Sequence, residues 1–140
     1  MSSWSLAFSE RIRYLSEAEG ITIEVWLSSD RDTIIPIDAR LNTASTFCVF
    51  KPQYAALLGL DLEKGSRERI RTATGSFVAY GHEVTLTVED LEWPATVYFA
   101  ADESFPINVV GRVGFIDRLR IGLVDYQSLL YLNAYENSLI

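Results

Sequence analysis

The sequence predicts an all-β fold in which the sheet closes or folds over on itself. Three observations carry this prediction. Apolar and polar residues alternate with a period of two along most of the chain, which is typical of half-buried strands. Turn-forming residues separate these runs. Only one segment has the features of a firm helix, and short connections without helices favour a closed or folded-over sheet over a βαβ arrangement.

The predicted strands begin at residue 21 and continue almost to the C terminus. Alternation runs through residues 21–28 and resumes after Pro36 at residues 37–41. It recurs at residues 84–88, and again at residues 119–123 and 130–132. Each run predicts one strand bounded by turns. The turn signals are Ser29-Asp30, Thr74-Gly75-Ser76, Tyr80-Gly81 and Glu89-Asp90.

One segment between the predicted strands reads as a helix. Residues 51–59 place Pro52 in the first turn and Gly59 just past the end, which is the usual asymmetry of helix termini. The helical spacing then predicts one shared apolar face, made of Tyr54, Leu57 and Leu58.

Two other segments are shorter or ambiguous. Residues 114–118 predict a second, short helical turn, whereas residues 10–18 fit either a helix or an irregular segment. No repeat, linker or low-complexity tract divides the chain. Its 140 residues therefore predict a single domain over residues 1–140.

The charge of the chain argues against a nucleic-acid partner. Its formal net charge is -7, and phosphate binding needs clustered Lys and Arg. The one basic cluster, Arg67, Arg69 and Arg71, is interpreted as a solvated face beside a strand. No apolar stretch approaches the roughly 20 residues that span a bilayer, so no membrane partner is expected. The N terminus lacks the features of a signal peptide, which predicts a cytoplasmic location.

The chain has a single cysteine and a single histidine. These two, Cys48 and His82, allow no internal disulfide and no structural zinc site, so no metal is expected. Cys48 lies in an apolar run and is predicted to be a buried small hydrophobe. His82 is predicted to be an exposed sheet residue rather than a catalytic base.

Three stretches, in this order and spacing, resemble the retropepsin family of aspartic proteases. The first is residues 41–46, Leu-Asn-Thr-Ala-Ser-Thr, followed by an apolar strand and the predicted helix. The second is residues 72–80, which resemble the β-hairpin flap that closes over substrate. The third is Asn108-Val109-Val110-Gly111-Arg112, followed by residues 114–118. The resemblance covers about residues 20–132 and is similar to small bacterial single-domain members.

The resemblance implies a retropepsin-like closed β-barrel with one or two short helices, acting as an obligate-type homodimer. Each subunit lends one active-site loop to a shared cleft that takes a peptide or protein substrate. No cofactor is implied, because two carboxylates activate a water molecule as base and acid. The implied site residues are Asn42, Thr43 and Ala44 in the loop, Ala73, Thr74, Gly75, Ser76 and Phe77 in the substrate-binding flap, and Val109, Val110, Gly111 and Arg112 in support of the loop.

The chain departs from the family pattern at three positions. Asn42 stands where the family has its catalytic Asp, and an amide can neither act as a general base nor share a proton. Losing such a group typically costs on the order of 10^4-fold in rate, so the chain as written is predicted to be inactive. Ala44 replaces the usual Gly and is tolerated only at negative φ.

The third departure is Thr46, where retroviral members carry an Asp that pairs with the arginine of the second signature. Arg112 must therefore find another partner. The candidates are Asp38, Glu92, Asp117 or a carboxylate of the other subunit.

Three explanations of Asn42 stay open. An engineered Asp-to-Asn change would silence a protease, and the retained Thr43, flap and Val-Val-Gly-Arg signature slightly favour it. A natural pseudo-protease would use the cleft as a peptide-binding or dimerisation module. In the third, the resemblance is one of fold only, and Asn42 is a structural residue that hydrogen-bonds its own loop.

Overall fold

The computed structural model describes residues 2–15, 19–30 and 32–135. These residues form mostly β-strands, arranged in two sheets, with one α-helix and three short 3-10 helices among them. The strands are β1 Glu10–Arg13, β2 Ile21–Ser28, β3 Ile34–Leu41, β4 Val49–Phe50, β5 Ser66–Thr72, β6 Gly75–Val88, β7 Leu91–Ala100, β8 Val109–Val110, β9 Leu119–Val124 and β10 Leu129–Ala134. The helix α1 spans Pro52–Leu57, and the 3-10 helices span Leu62–Lys64, Ile116–Arg118 and Asp125–Gln127.

The larger sheet has seven strands in the order β2-β3-β8-β4-β7-β6-β5. An additional pairing joins β2 to β6, so the sheet folds back on itself. The smaller sheet has three strands in the order β1-β10-β9. The 14-residue strand β6 makes hairpins with both β5 and β7, and it therefore links the hairpin tip at residues 73–74 to the body of the sheet.

The core follows the alternation that the sequence predicts. On β2 the buried residues are Ile23, Val25 and Leu27, while Glu24 between them is exposed. The same pattern places one face of β3 and β6 in the main core, where fully buried phenylalanines fill the centre. Those phenylalanines are Phe50, Phe99 and Phe115.

The predicted helix forms, but only part of its predicted shared face packs against the core. Pro52 opens α1 and Gly59 follows its end with φ of 75°, as the sequence indicates. Ala55 and Leu58 are buried and Tyr54 packs against the core, whereas Leu57 is 60% exposed, so the prediction that Leu57 shares their face is wrong. A six-residue helix presents little more than one turn to the sheet, and Ala55 and Leu58, three residues apart, occupy that side.

The two short segments take definite structures. Residues 116–118 form a 3-10 helix, which confirms the predicted helical turn. The N-terminal segment is a strand at Glu10–Arg13 that pairs with β10, rather than a helix. Its last three residues, 16–18, lie outside the described residues.

Two local predictions around β6 are wrong. Tyr80-Gly81 is no turn, because β6 continues through it and Gly81 pairs with Tyr98. A side chain at Gly81 would meet the Tyr98 ring at 2.9 Å, so the glycine marks a close approach within the strand. His82 is half-buried rather than exposed, and its Nε2 lies 2.9 Å from the carbonyl oxygen of Leu62. No helix in the described ranges is long and apolar enough to cross a membrane.

Candidate functional site

The loop at residues 42–46 leaves the end of β3 and is held by its own backbone. The Asn42 N–H donates to the carbonyl of Val110 at 3.0 Å, which extends the β3–β8 pairing by one residue. The Ser45 N–H donates to the Asn42 carbonyl at 3.1 Å. The Asn42 side chain closes the turn, because its Oδ1 accepts the Ala44 N–H at 2.9 Å. Ala44 is not among the residues with positive φ, so the loop accommodates its methyl group.

The segment after β8 supports this loop from the other side. The Arg112 N–H donates to the carbonyl of Ser45 at 2.9 Å, and the Val113 N–H donates to that of Thr46 at 2.8 Å. Gly111 packs so closely that a Cβ there would lie 2.5 Å from the carbonyl oxygens of both Ser45 and Phe47. Only glycine allows the two segments to approach at this distance.

Cys48 fills the space beneath the loop. Its side chain has no exposure, its Sγ accepts the Gly111 N–H at 3.4 Å, and the thiol lies 3.5 Å from the Val113 carbonyl. Burial raises the pKa of Cys48 to about 12, although the hydrogen bond from Gly111 opposes this. The thiol is therefore a packing group, as predicted, and no nucleophile at neutral pH.

The β5–β6 hairpin carries the predicted flap. Thr72 pairs with Gly75 across the turn, so Ala73 and Thr74 form an exposed tip. The Thr72 hydroxyl accepts the Thr74 N–H at 3.3 Å. A side chain at Gly75 would meet nothing within 4 Å, so the tip stands clear of its own chain.

The loop and the hairpin border one cavity of about 700 Å³. Its walls come from the loop, from the inner part of the hairpin and from the segment before β8. The lining residues are Asn42, 44–47, Val49, 69–74, Phe77, 105–107 and Val109.

A small apolar cluster floors this cavity. Val49 and Ile70 belong to it, together with two close aromatic contacts. The rings of Phe77 and Phe105 lie 4.9 Å apart, which ties the hairpin to the segment at residues 101–107. The cluster gives the cavity an apolar surface beside the polar loop, an arrangement common in ligand-binding clefts.

The structure brings only some of the predicted site residues to the cavity. Val110 and Gly111 are buried beneath the loop, and Thr43, Gly75, Ser76 and Arg112 are exposed outside the cavity lining. The predicted residues that do line the cavity are Asn42, Ala44, Ala73, Thr74, Phe77 and Val109.

Sequence reasoning missed two walls of the cavity. One is Phe105-Pro106-Ile107, for which an apolar run separated from the Val109-Val110 pair by Asn108 alone was an available signal. The other is the strand segment 69–71, whose arginines were assigned to a solvated face.

Arg112 has no carboxylate partner within the described part of the chain. The ion pairs found there are Arg40–Glu19, Lys64–Asp61 and Arg118–Asp117. Of the three candidates within the chain, Asp117 instead accepts the Gly114 N–H at 2.9 Å, and neither Asp38 nor Glu92 joins an ion pair. The guanidinium is exposed beside the loop.

Comparison with known proteins identifies the fold. No family model matches the chain, and no curated protein matches it either. Among solved structures, a retropepsin-like aspartic protease from Rickettsia conorii superposes with a TM-score of 0.63 at 15% identity, covering 89% of this chain and 97% of that one. The chain therefore has the fold of a retropepsin-like aspartic protease, as the sequence resemblance predicted.

Proposed function

We propose that this chain is an aspartic-protease-type protein that binds extended peptides in the cavity between the loop and the hairpin. In this proposal two copies of the chain complete the site, and the form with Asn42 binds peptides without cutting them. One observation carries the proposal. Asn42 and the hairpin tip at Ala73-Thr74 are distant in sequence, yet they line the same cavity.

Position 42 is suited to a carboxylate even though it holds an amide. Asn42 is half-buried, its Oδ1 is bound to the Ala44 N–H, and its Nδ2 makes no hydrogen bond within the described residues. An Asp would keep the bond to Ala44 and would place a second oxygen where Nδ2 stands. The backbone N–H would favour the ionised form of that Asp. The amide itself has no proton to exchange, which supports binding without hydrolysis.

The need for two copies follows from the chemistry. Aspartic hydrolysis requires one carboxylate as base and a second, protonated one as acid, and one chain has a single such loop. A two-fold dimer would bring two loops together. The side chains around the loop are available for such an interface, since Thr43, Thr46 and Arg112 are exposed and Val113 is 47% exposed. The β2–β6 pairing supports the closed-barrel form of each subunit.

A second candidate function is a non-enzymatic peptide-binding or dimerisation module in which position 42 never carried a catalytic Asp. The bond from the Ala44 N–H to Asn42 Oδ1 supports this alternative, because it gives the side chain at position 42 a structural role within its own turn without any catalysis. In this alternative the cleft binds its partner with Asn42 in place, and no carboxylate is needed at position 42.

The variant Asn42→Asp separates the two candidates, with Asn42→Ala as its matched control. If the chain is protease-derived, the Asp variant gains peptide cleavage, on the order of 10^4-fold over the unchanged chain. This cleavage has an acidic pH optimum and is blocked by pepstatin-type inhibitors, whereas the Ala variant stays inert. Sedimentation of the unchanged chain at micromolar concentration should show a dimer.

Two results would go against the proposal. The Asp variant could be folded and dimeric and still cleave neither diverse peptides nor itself. That result would reject the proposal that the chain is an aspartic-protease-type protein. If the unchanged chain then bound peptides, the second candidate, a peptide-binding module, would be the supported function. If the chain sedimented as a monomer, the proposal that two copies complete one site would be rejected.

A further inference from the structure

The cavity runs along the free edge of β5. Among the described strands β5 pairs only with β6, so its other edge is unpaired. Successive side chains of a strand point to opposite faces. The consecutive residues Arg69, Ile70 and Arg71 nevertheless all line the cavity, so the cavity reaches the edge of β5 in addition to the face that carries Ile70 and Phe77. An extended peptide placed there can add to the sheet through backbone hydrogen bonds.

The two faces of β5 offer different chemistry along this edge. Ile70 and its cross-strand neighbour Phe77 face the apolar cluster, and Phe77 contacts Phe105. On the opposite face Arg69 and Arg71 lie together with Ser76, since an Arg69 guanidinium nitrogen donates to the Ser76 hydroxyl at 3.2 Å.

The cavity is positive although the protein is acidic. Arg69 and Arg71 are the charged side chains that line it, and no Asp or Glu is among its lining residues, while the whole chain carries -7. Neither arginine takes part in the ion pairs found in the described ranges. Glu68, the carboxylate of the same strand, lies on the opposite face and outside the cavity lining. These two guanidinium groups are therefore free to pair with an incoming carboxylate.

We infer that the cavity selects extended peptides that carry acidic side chains at alternate positions. The inference rests on the proposed function and names the substrate class of that site. The peptide pairs with the edge of β5, its acidic side chains face Arg69 and Arg71, and the apolar side chain between them faces Ile70 and Phe77. The spacing fits, because residues two apart on a strand and on an extended peptide are both separated by about 6.6 Å.

Three labelled nine-residue peptides test this inference by fluorescence anisotropy on the unchanged chain. They share one apolar framework and carry Glu, Gln or Lys at three alternate positions. We expect the Glu peptide to bind about tenfold more tightly than the Gln peptide, and the Lys peptide most weakly, since two exposed charge pairs contribute at this level. Raising the salt concentration to about 0.5 M should reduce the differences in affinity among the three peptides, because salt screens exposed charges.

The double variant Arg69→Gln, Arg71→Gln should abolish the preference for Glu. Arg67→Gln is the matched control, because Arg67 is exposed on the same face of the same strand but does not line the cavity. It should keep most of the preference. Because all three side chains are exposed, none of these changes is expected to unfold the protein.

The outcomes separate this inference from the proposed function. Equal binding of the Glu and Gln peptides would overturn the acidic preference and leave a peptide-binding cleft. Arg67→Gln could also lose as much of the preference for the Glu peptide as the double variant does. The preference would then come from general surface charge, and this inference would be overturned. Failure of all three peptides to bind would reject the cleft function together with this inference.

Discussion

Replacing Gly111 by Ala would place a methyl group 2.5 Å from the carbonyl oxygens of both Ser45 and Phe47. Both contacts are backbone atoms, so no side chain can rotate away to relieve them. Either the loop or the segment after β8 must move, which weakens the bond of 2.9 Å between the Arg112 N–H and the Ser45 carbonyl. Overpacking a site of this kind typically costs about 1–3 kcal/mol, and two backbone contacts favour the upper part of that range.

The assay is thermal unfolding, followed by circular dichroism. For a chain of 140 residues a loss of 1 kcal/mol lowers Tm by about 3 °C, so we expect Gly111→Ala to lower it by about 6–9 °C. Gly122→Ala is the matched control. Its Cβ would approach the Phe8 ring at 2.8 Å, but that side chain is only partly buried and can shift, so the cost should stay below about 1 kcal/mol.

The reasoning would be refuted if the two variants melted at the same temperature. Such a result would mean that the loop and the segment after β8 do not approach each other as closely as described. It would also remove the physical reason for a glycine at position 111.

Two further predictions concern the core. Burial raises the pKa of Cys48 from its ordinary 9.0 to about 12, so the folded protein keeps a proton that the unfolded chain releases, and the free energy of unfolding should fall between about pH 9 and pH 12. Urea titrations should show a weaker fall in Cys48→Ala, and identical pH slopes would contradict the assignment. Leu130→Ala removes a fully buried side chain and should cost about 2–5 kcal/mol, whereas Leu123→Ala, half exposed on the neighbouring strand, should cost less than about 1 kcal/mol. Thermal melts compare the two, and similar losses of stability would show that the burial pattern of β9 and β10 is wrong.

Five of the ten described strands, β2, β3, β6, β9 and β10, could be predicted at least in part from alternation, because this signal is local. A strand with one buried face must alternate, and β2 shows this directly with Ile23, Val25 and Leu27 buried in turn. The helix ends were equally legible, since Pro52 and Gly59 act through their own backbone.

Two glycines, Gly81 and Gly111, show a limit of reasoning from sequence alone. Gly81 suggested a turn but lies inside a strand, where the Tyr98 ring occupies the space of a side chain. The family resemblance assigned Gly111 to the support of the loop, but its residue type alone does not show that two carbonyl groups of a distant segment require a glycine there. Whether a glycine serves backbone freedom or close approach depends on neighbours that the sequence does not identify.

The features of the candidate site also fall into two groups, those that depend on local sequence and those that depend on distant segments. The sequence by itself determined the alternating strands, the order of the three family-like stretches and the amide at position 42, because each depends on residue type and on short-range spacing. Only the tertiary structure decided that Asn42, the hairpin tip and Phe105 border one cavity, and that Arg69 and Arg71 lie on it rather than in solvent alone. The physical reason is that a strand's edge and the cavity beside it exist only after distant segments have paired. The pairing of β8 with β3 and β4 brings the loop to the segment at residues 105–107, and the pairing of β7 with β4 and β6 brings the hairpin to both.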